Sequence, residues 1–355
     1  MNARVALVLV VLLAVVGGGA LLYNRQERTE TADNTAALGK PLLNVKVADV
    51  AAIKITEPNA TLTLKRQGDG WVIAERRNFP ADLARVREFG LKLIDLKVGQ
   101  SEPIGDKDRA RLNLDASGTQ VELDGADGKP LAKLTIGKKY FKREVDNPAK
   151  ALADGRFVAL PAESGTVYIV SAPLTQATTK TSEWIDRTAF QVEKVKTLEV
   201  KYPSGASWRV ERKKDDADWK LAGAKPGEKL DVSKANAATY SLSLLELADV
   251  APDDAKDTGL DKPTLIDATT LDGLAYDIKV GKLEGDNYYV RFSSSGSLPT
   301  DAQKGDEDRL KKLRERQPRE KLLSDYVLLI PKSKLDDTLK PRADLLEKKP
   351  EAKKK

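Results

Sequence analysis

The chain has 355 residues, 41% of them apolar and 32% charged, with 60 basic against 54 acidic side chains mixed along its length. That is enough material for two ordinary domains with cores of their own, and no basic face stands out to argue for nucleic acid as a partner. Histidine and cysteine are both absent, which removes imidazole bases, thiolate nucleophiles, disulfides, a lipid-modified cysteine and the commonest soft metal ligands, so any catalysis would fall to Asp, Glu, Lys, Ser or Tyr.

The first element is "VALVLVVLLAVVGGGALLY", Val5 to Tyr23, an uncharged run between Arg4 and the pair Arg25 and Arg28. Its length is close to that needed to cross a bilayer. A cleaved signal peptide competes with this reading, because Gly18 and Ala20 are small and spaced like a processing site. The apolar run nevertheless continues through Leu21, Leu22 and Tyr23, and a tyrosine there suits an interfacial anchor. Residues 1–23 are therefore read as a transmembrane signal anchor and 24–44, polar and rich in small residues, as a linker. The anchor has a short stub before it and a long body after it. This layout implies a single-pass protein of the inner (cytoplasmic) membrane, with its body periplasmic, or extracellular in a single-membrane cell.

The body carries one pattern twice. "VADVAAIKIT" from Val47 matches "VEKVKTLEVK" from Val192, and "TLTLKR" from Thr61 matches "SWRVER" from Ser207. Trp71 aligns with Trp219, Asp82 with Asp231, "LNLD" ending at Asp115 with "TGLD" ending at Asp261, and "LTIGK" ending at Lys138 with "IKVGK" ending at Lys282. Order and spacing are kept, which is a duplicated domain rather than a solenoid unit. The predicted domains are 45–189 and 190–346.

In each copy, short alternating runs ("IKIT", "TLTLKR", "WVIAE") separated by turn residues predict a meander of antiparallel strands. A helix comes next, with Leu83, Val86, Phe89, Leu93 and Leu96 at helical spacing behind Asp82, and Val232, Ala235, Leu242 and Leu245 behind Asp231. More strands succeed it: "TQVELDGADGKPLAKLTIG" as a hairpin, then "GRFVAL" and "TVYIV". A short helix is expected after Pro173 and after Pro331. The fold class read from this is α+β: two tandem homologous domains of antiparallel strands, each with a packed helix, on an N-terminal transmembrane helix. Trp71 and Trp219 are read as packing between sheet and helix, one core filled twice, in preference to a ligand-stacking role.

The copies differ at residues 293–325, a charged insertion between the strands "YYVRF" and "YVLLI". Asp306, Glu307 and Asp308 precede Arg309, Lys311, Lys312, Arg314 and Arg316, the charge order a helix dipole favours. With few apolar residues beyond Leu298, Leu310, Leu313, Leu322 and Leu323, the segment is expected to gain little by packing on its own domain and to be a solvated excursion or a docking arm. Residues 347–355 read as a disordered basic tail.

No catalytic, cofactor or metal motif emerges. Adjacent acids at Asp215–Asp216, Asp253–Asp254 and Asp336–Asp337 point in different directions and make poor acid–base pairs. "DGADGK" from Asp124 lacks the later ligands of a calcium loop and reads as a hairpin turn. Tyr276, Tyr288, Tyr289 and Arg291 could line a groove, but as strand residues are more simply cross-strand neighbours.

The anchor and its tandem strand-rich units, with the "DGW" turn, the Asp-opened helix and the "GK" strand end, resemble the membrane-associated bacterial family of domain of unknown function 4340. The resemblance covers nearly all of residues 45–346 and brings no catalytic residues with it. Members commonly stand beside ABC-type permease and ATPase components and an auxiliary protein of the gliding-motility type. It implies a non-enzymatic accessory or scaffold protein of an export or cell-envelope complex. Its expected partners are the inner membrane through residues 5–23 and an ABC-type permease or auxiliary membrane protein, with no nucleic acid and no cofactor. The alternatives are an envelope glycan enzyme working through carboxylates and a solute- or polymer-binding domain that feeds a permease.

Overall fold

The computed structural model describes residues 38–141, 153–299 and 306–347. The expected anchor, the linker as far as residue 37 and the basic tail beyond residue 347 lie outside them. Among the described residues no helix is long and apolar enough to cross a membrane. Two compact units form, one from the residues up to Ala74 with Ala81–Glu183, the other from Glu75–Pro80 with the residues from Trp184 onward.

The first unit is built on β1 (Ala52–Glu57), β2 (Ala60–Gln67), β3 (Gly70–Ile73), helix α1 (Leu83–Ile94), β5 (Gln100–Pro103), helix α2 (Asp106–Arg111), β6 (Thr119–Asp124), β7 (Pro130–Phe141), β8 (Ala153–Ala159) and β9 (Thr166–Val170); the two-residue strand β4 (Phe79–Pro80) is counted with the second unit. The strands of the first unit itself lie in the order β3-β2-β1-β6-β7-β8-β9-β5, and each neighbouring pair is antiparallel. Alternation decides which face is buried: Ile53 and Ile55 on β1 are buried while Lys54 between them is exposed. Helix α1 covers that face with Val86, Phe89 and Leu93. It starts where the sequence predicts, the Asp82 carboxylate accepting from the backbone N–H groups of Ala84 and Arg85 at 3.0 and 3.3 Å.

The second unit contains β10 (Val195–Lys201), β11 (Ser207–Glu211), β12 (Lys220–Leu221), helix α3 (Val232–Tyr240), β13 (Asp249–Val250), β14 (Thr264–Thr270), β15 (Leu274–Glu284), β16 (Asn287–Gly296), helix α4 (Glu307–Leu323) and β17 (Leu328–Pro331). Its order is β12-β11-β10-β14-β15-β16-β17-β13. With β4 set aside, the two orders are the same position for position, and in both a late strand returns to leave an early short one at the far edge. Asp231 caps α3 as Asp82 caps α1, accepting from Ser233 and Lys234. The chain is thus a mixed helix and strand protein with two antiparallel sheets, mostly strand. Unforeseen in the sequence are α2 and the edge strands β5 and β13. The helices expected after Pro173 and Pro331 are only 3-10 turns, at Thr181–Glu183 and Lys332–Lys334.

The recurring "GK" pairs have a steric origin. The backbone N–H of Lys138 donates to the Leu112 carbonyl at 2.9 Å, and that of Lys282 to the Thr258 carbonyl at 2.8 Å. Each bond draws the preceding "LNLD" or "TGLD" loop onto the strand. A Cβ on Gly137 would lie 2.4 Å from the Leu112 oxygen, and one on Gly281 would lie 2.2 Å from the Thr258 oxygen, so only glycine fits. At corresponding places in the two loops the chain is left-handed, at Asn113 (φ 56°) and Gly259 (φ 72°).

The insertion departs from its expectation. Ser293–Gly296 continue β16, and α4 is packed on its own unit, with Leu310, Leu313, Glu320 and Leu323 buried. Those positions repeat at three- and seven-residue steps, one helical face. Charge reinforces the docking: Arg309 grips Asp272 with both terminal nitrogens, and Arg316 donates to the Gln191 carbonyl at 2.9 Å and meets Glu193 at 3.2 Å. Arg319 reaches the backbone carbonyls of Asp186 and Thr188. Helix α4 is neither a solvated excursion nor a free arm, because three leucines on one face suffice to seat a helix whose remaining positions are mostly charged.

Candidate functional site

Between α1 and the β1-β2-β3 meander of the first unit lies a groove with a cavity of about 230 Å³, lined by Val47, Val50, Ile53, Arg66, Asp69, Trp71, Leu83, Val86, Arg87, Gly90, Leu91, Ile94 and Leu123. Its floor is the core face of the sheet: Val50, Ile53 and Leu123 are buried, as is Val86 from the helix. Its lips are Val47 and Leu91, both about half exposed (51% and 49%) although both are large and apolar. Trp71 stands on the wall, directly across β2–β3 from Arg66. The indole is only half-buried. One core filled twice does not describe this side: helix α1 presents Gly90 toward Ile53, and the Trp71 ring lines a cavity instead of being buried.

The corresponding place in the second unit is built from matching positions and is chemically different. It is lined by Val192, Glu193, Lys194, Val195, Arg212, Asp215, Asn236, Thr239, Tyr240 and Ser243. Val192 and Val195 are the residues the repeat aligns with Val47 and Val50, and Trp219 stands next to β12 opposite Arg212 as Trp71 stands opposite Arg66. Here the tryptophan is buried. The Arg212 guanidinium lies 4.6 Å from its ring centre and is itself held by the Val195 carbonyl at 2.8 Å and the Asp215 carboxylate at 2.7 Å. The indole N–H donates to Asn236 at 2.7 Å. Cation–π stacking plus a satisfied donor covers the Trp219 ring, beside a polar cavity of about 410 Å³. In the first unit Arg66 makes only a 3.3 Å contact to the Ala48 carbonyl, and neither Arg66 nor Arg87 is in an ion pair among the described residues. The arginines were not singled out from the sequence; the pairing Arg66/Arg212, five and seven residues before the aligned tryptophans, was the available signal.

The polar clusters weighed in the sequence do not assemble into a site. Asp215 pairs with Arg212, Asp216 with Lys214, Asp336 with Lys332 and Asp337 with Lys340, so each acid of those adjacent pairs serves a base of its own. The "DGADGK" segment is the β6–β7 turn, closed by Gly125 N–H to the Lys129 carbonyl at 2.9 Å. No group of acids that could hold a metal occurs among the described residues. Asp124, beside that turn, has its carboxyl pushed up by burial and by the neighbouring Glu122, while Lys133 pulls Glu122 down. The tyrosines do not converge: Tyr288 and Tyr289 are adjacent on β16 and point to opposite faces, and Tyr276 is buried, its hydroxyl donating to Glu320 at 3.0 Å.

Residues 71–263, more than half of the chain, match the family described as Domain of unknown function (DUF4340). No curated protein and no solved structure matches.

Proposed function

The chain belongs to the family of Domain of unknown function (DUF4340), and because that description carries no activity we propose, from the residues themselves, a non-enzymatic accessory protein of an envelope transport complex. In this reading residues 1–23 anchor it in the inner membrane, and residues 45–189 and 190–346 are homologous domains held outside the cytoplasm. The observation that carries the proposal is the contrast between two equivalent places. One strand order is used twice, and the cavity between meander and helix is lined by polar and charged side chains next to a buried Trp219 in one copy and is apolar beside a half-buried Trp71 in the other. A mostly apolar groove with a few charged groups at its mouth, present in one copy only, is what a binding scaffold needs. An enzyme would need convergent reactive groups, and this groove offers only aliphatic side chains, one indole, two arginines and an aspartate. The transport assignment is supported by the anchor read from Val5 to Tyr23 and by what the family resemblance implies about neighbouring permease and ATPase components.

The test is affinity purification of the full chain from membranes solubilised in mild detergent. The proposal expects permease and ATPase subunits to be recovered in stoichiometric amounts. Recovery of the protein alone in quantitative yield would reject it.

A further inference from the structure

We infer that the groove of the first unit holds the acyl chain of an anionic amphiphile, with the head group at Arg66 and Arg87. The inference rests on reading this groove as a binding face. Two observations point to the occupant.

The first is Gly90. A glycine inside a helix costs up to about 1 kcal/mol relative to alanine, and proteins keep one where something must come close. Nothing of this protein does: a Cβ at Gly90 would sit 3.9 Å from the Ile53 Cδ1 atom, an ordinary contact, with no other atom within 4 Å. In the second unit the equivalent turn of α3 carries Thr239 at the wall of the polar site, its hydroxyl bound to the Ala235 carbonyl at 3.0 Å. The absent side chain at Gly90 keeps the floor open to a ligand instead of to a neighbour.

The second is the distribution of polarity. The interior is aliphatic apart from the Trp71 ring, and the charged groups gather at the mouth as two arginines and Asp69, all exposed. Neither arginine is in an ion pair among the described residues, so the mouth carries net positive charge with free donors, which complements a carboxylate or phosphate. A cavity of about 230 Å³ is below the usual range of roughly 300–1,000 Å³ for a drug-sized ligand. A docked helix would need a row of successive anchor pockets. One unbranched hydrocarbon chain with a charged end fits both the size and the polarity.

The experiment uses the full chain in nanodiscs of zwitterionic lipid. The probes are a medium-chain fatty acid with a terminal diazirine and the matching uncharged alcohol, with adducts mapped by mass spectrometry. The fatty acid should label residues of the groove in the wild type, more weakly in Gly90→Ala, and not at all in Gly90→Leu, whose side chain fills the floor. The double variant Arg66→Gln, Arg87→Gln should need about tenfold more fatty acid for the same labelling while its labelling by the alcohol is unchanged. Retained thermal stability of Gly90→Leu separates loss of the site from loss of the fold. Absence of groove adducts, labelling indifferent to Gly90→Leu, or equal labelling of wild type by alcohol and acid overturns the inference. A polypeptide cross-linked from a photoreactive residue at position 91 in native membranes also overturns it, but leaves the accessory role standing. Fatty-acid labelling as expected with no transporter subunit recovered would do the reverse.

Discussion

Replacing Leu323 by alanine tests whether α4 belongs to the second unit's core. Leu323 is fully buried at the last turn of the helix, and Leu310 and Leu313 lie buried along the same face. Three carbons are removed, which at about 0.8 kcal/mol each is a transfer loss of roughly 2.4 kcal/mol. The cavity left behind adds to this, so the expected cost is about 3 kcal/mol, within the roughly 2–5 kcal/mol seen for such changes. For a body of this size about 3 kcal/mol lowers the midpoint by about 6–12 °C. Arg314→Ala is the control, because its guanidinium is exposed and only touches the Pro299 carbonyl at 2.8 Å; it should stay within about 0.5 kcal/mol. Thermal unfolding monitored by tryptophan fluorescence reads the relevant unit, since Trp184, Trp208 and Trp219 all lie in it and are buried. Equal midpoints for Leu323→Ala and Arg314→Ala would return the segment to the status of a solvated excursion.

Gly137→Ala and Gly281→Ala should each destabilise their unit by about 1–3 kcal/mol in urea unfolding, because the new methyl overlaps a backbone oxygen; a neutral result at both would remove the steric account of the repeated "GK". Gly90→Ala should instead stabilise by about 0.5–1 kcal/mol in the same assay, since the helix gains and nothing is struck. Burial pushes the Glu320 carboxyl above the ordinary range despite the opposing pull of Arg316, so the folded protein holds that proton more tightly than the unfolded chain. This contribution is fully present below the ordinary glutamate range and is lost as pH rises through the folded value. The stability of the wild type minus that of Glu320→Gln should therefore fall as pH rises above the ordinary glutamate range, measured as urea midpoints of both proteins at each pH; a difference that grows would reverse the sign of the argument.

The regular part of each sheet was legible because one face is buried and the period of two survives in residues such as Ile53, Lys54 and Ile55. The capped helices were legible because Asp82 and Asp231 are local signals that act within a few residues. Strands β5 and β13 were not, since "QSEP" and "DV" carry no period and are fixed by pairing with β9 and β17 far along the chain. Helix α4 was misread by composition: charge dominates its average, while three leucines on one face decide its position. The groove was half visible. The repeat drew attention to Trp71 and Trp219, but equal letters at equal positions hid unequal burial, which depends on Arg212 and Asn236 holding the Trp219 ring, with no matching partners at Trp71 among the described residues.

The most direct measurement places a photoreactive amino acid at position 91, on the lip of the open groove, and separately at Tyr240, the exposed lip of its polar counterpart, in the full chain in intact membranes. Adducts from position 91 at a lipid mass, well above those from position 240, are the predicted result. Equal yields from the two positions, or none from either, would contradict the claim that the apolar groove of the first unit, and not its polar counterpart, is the binding face.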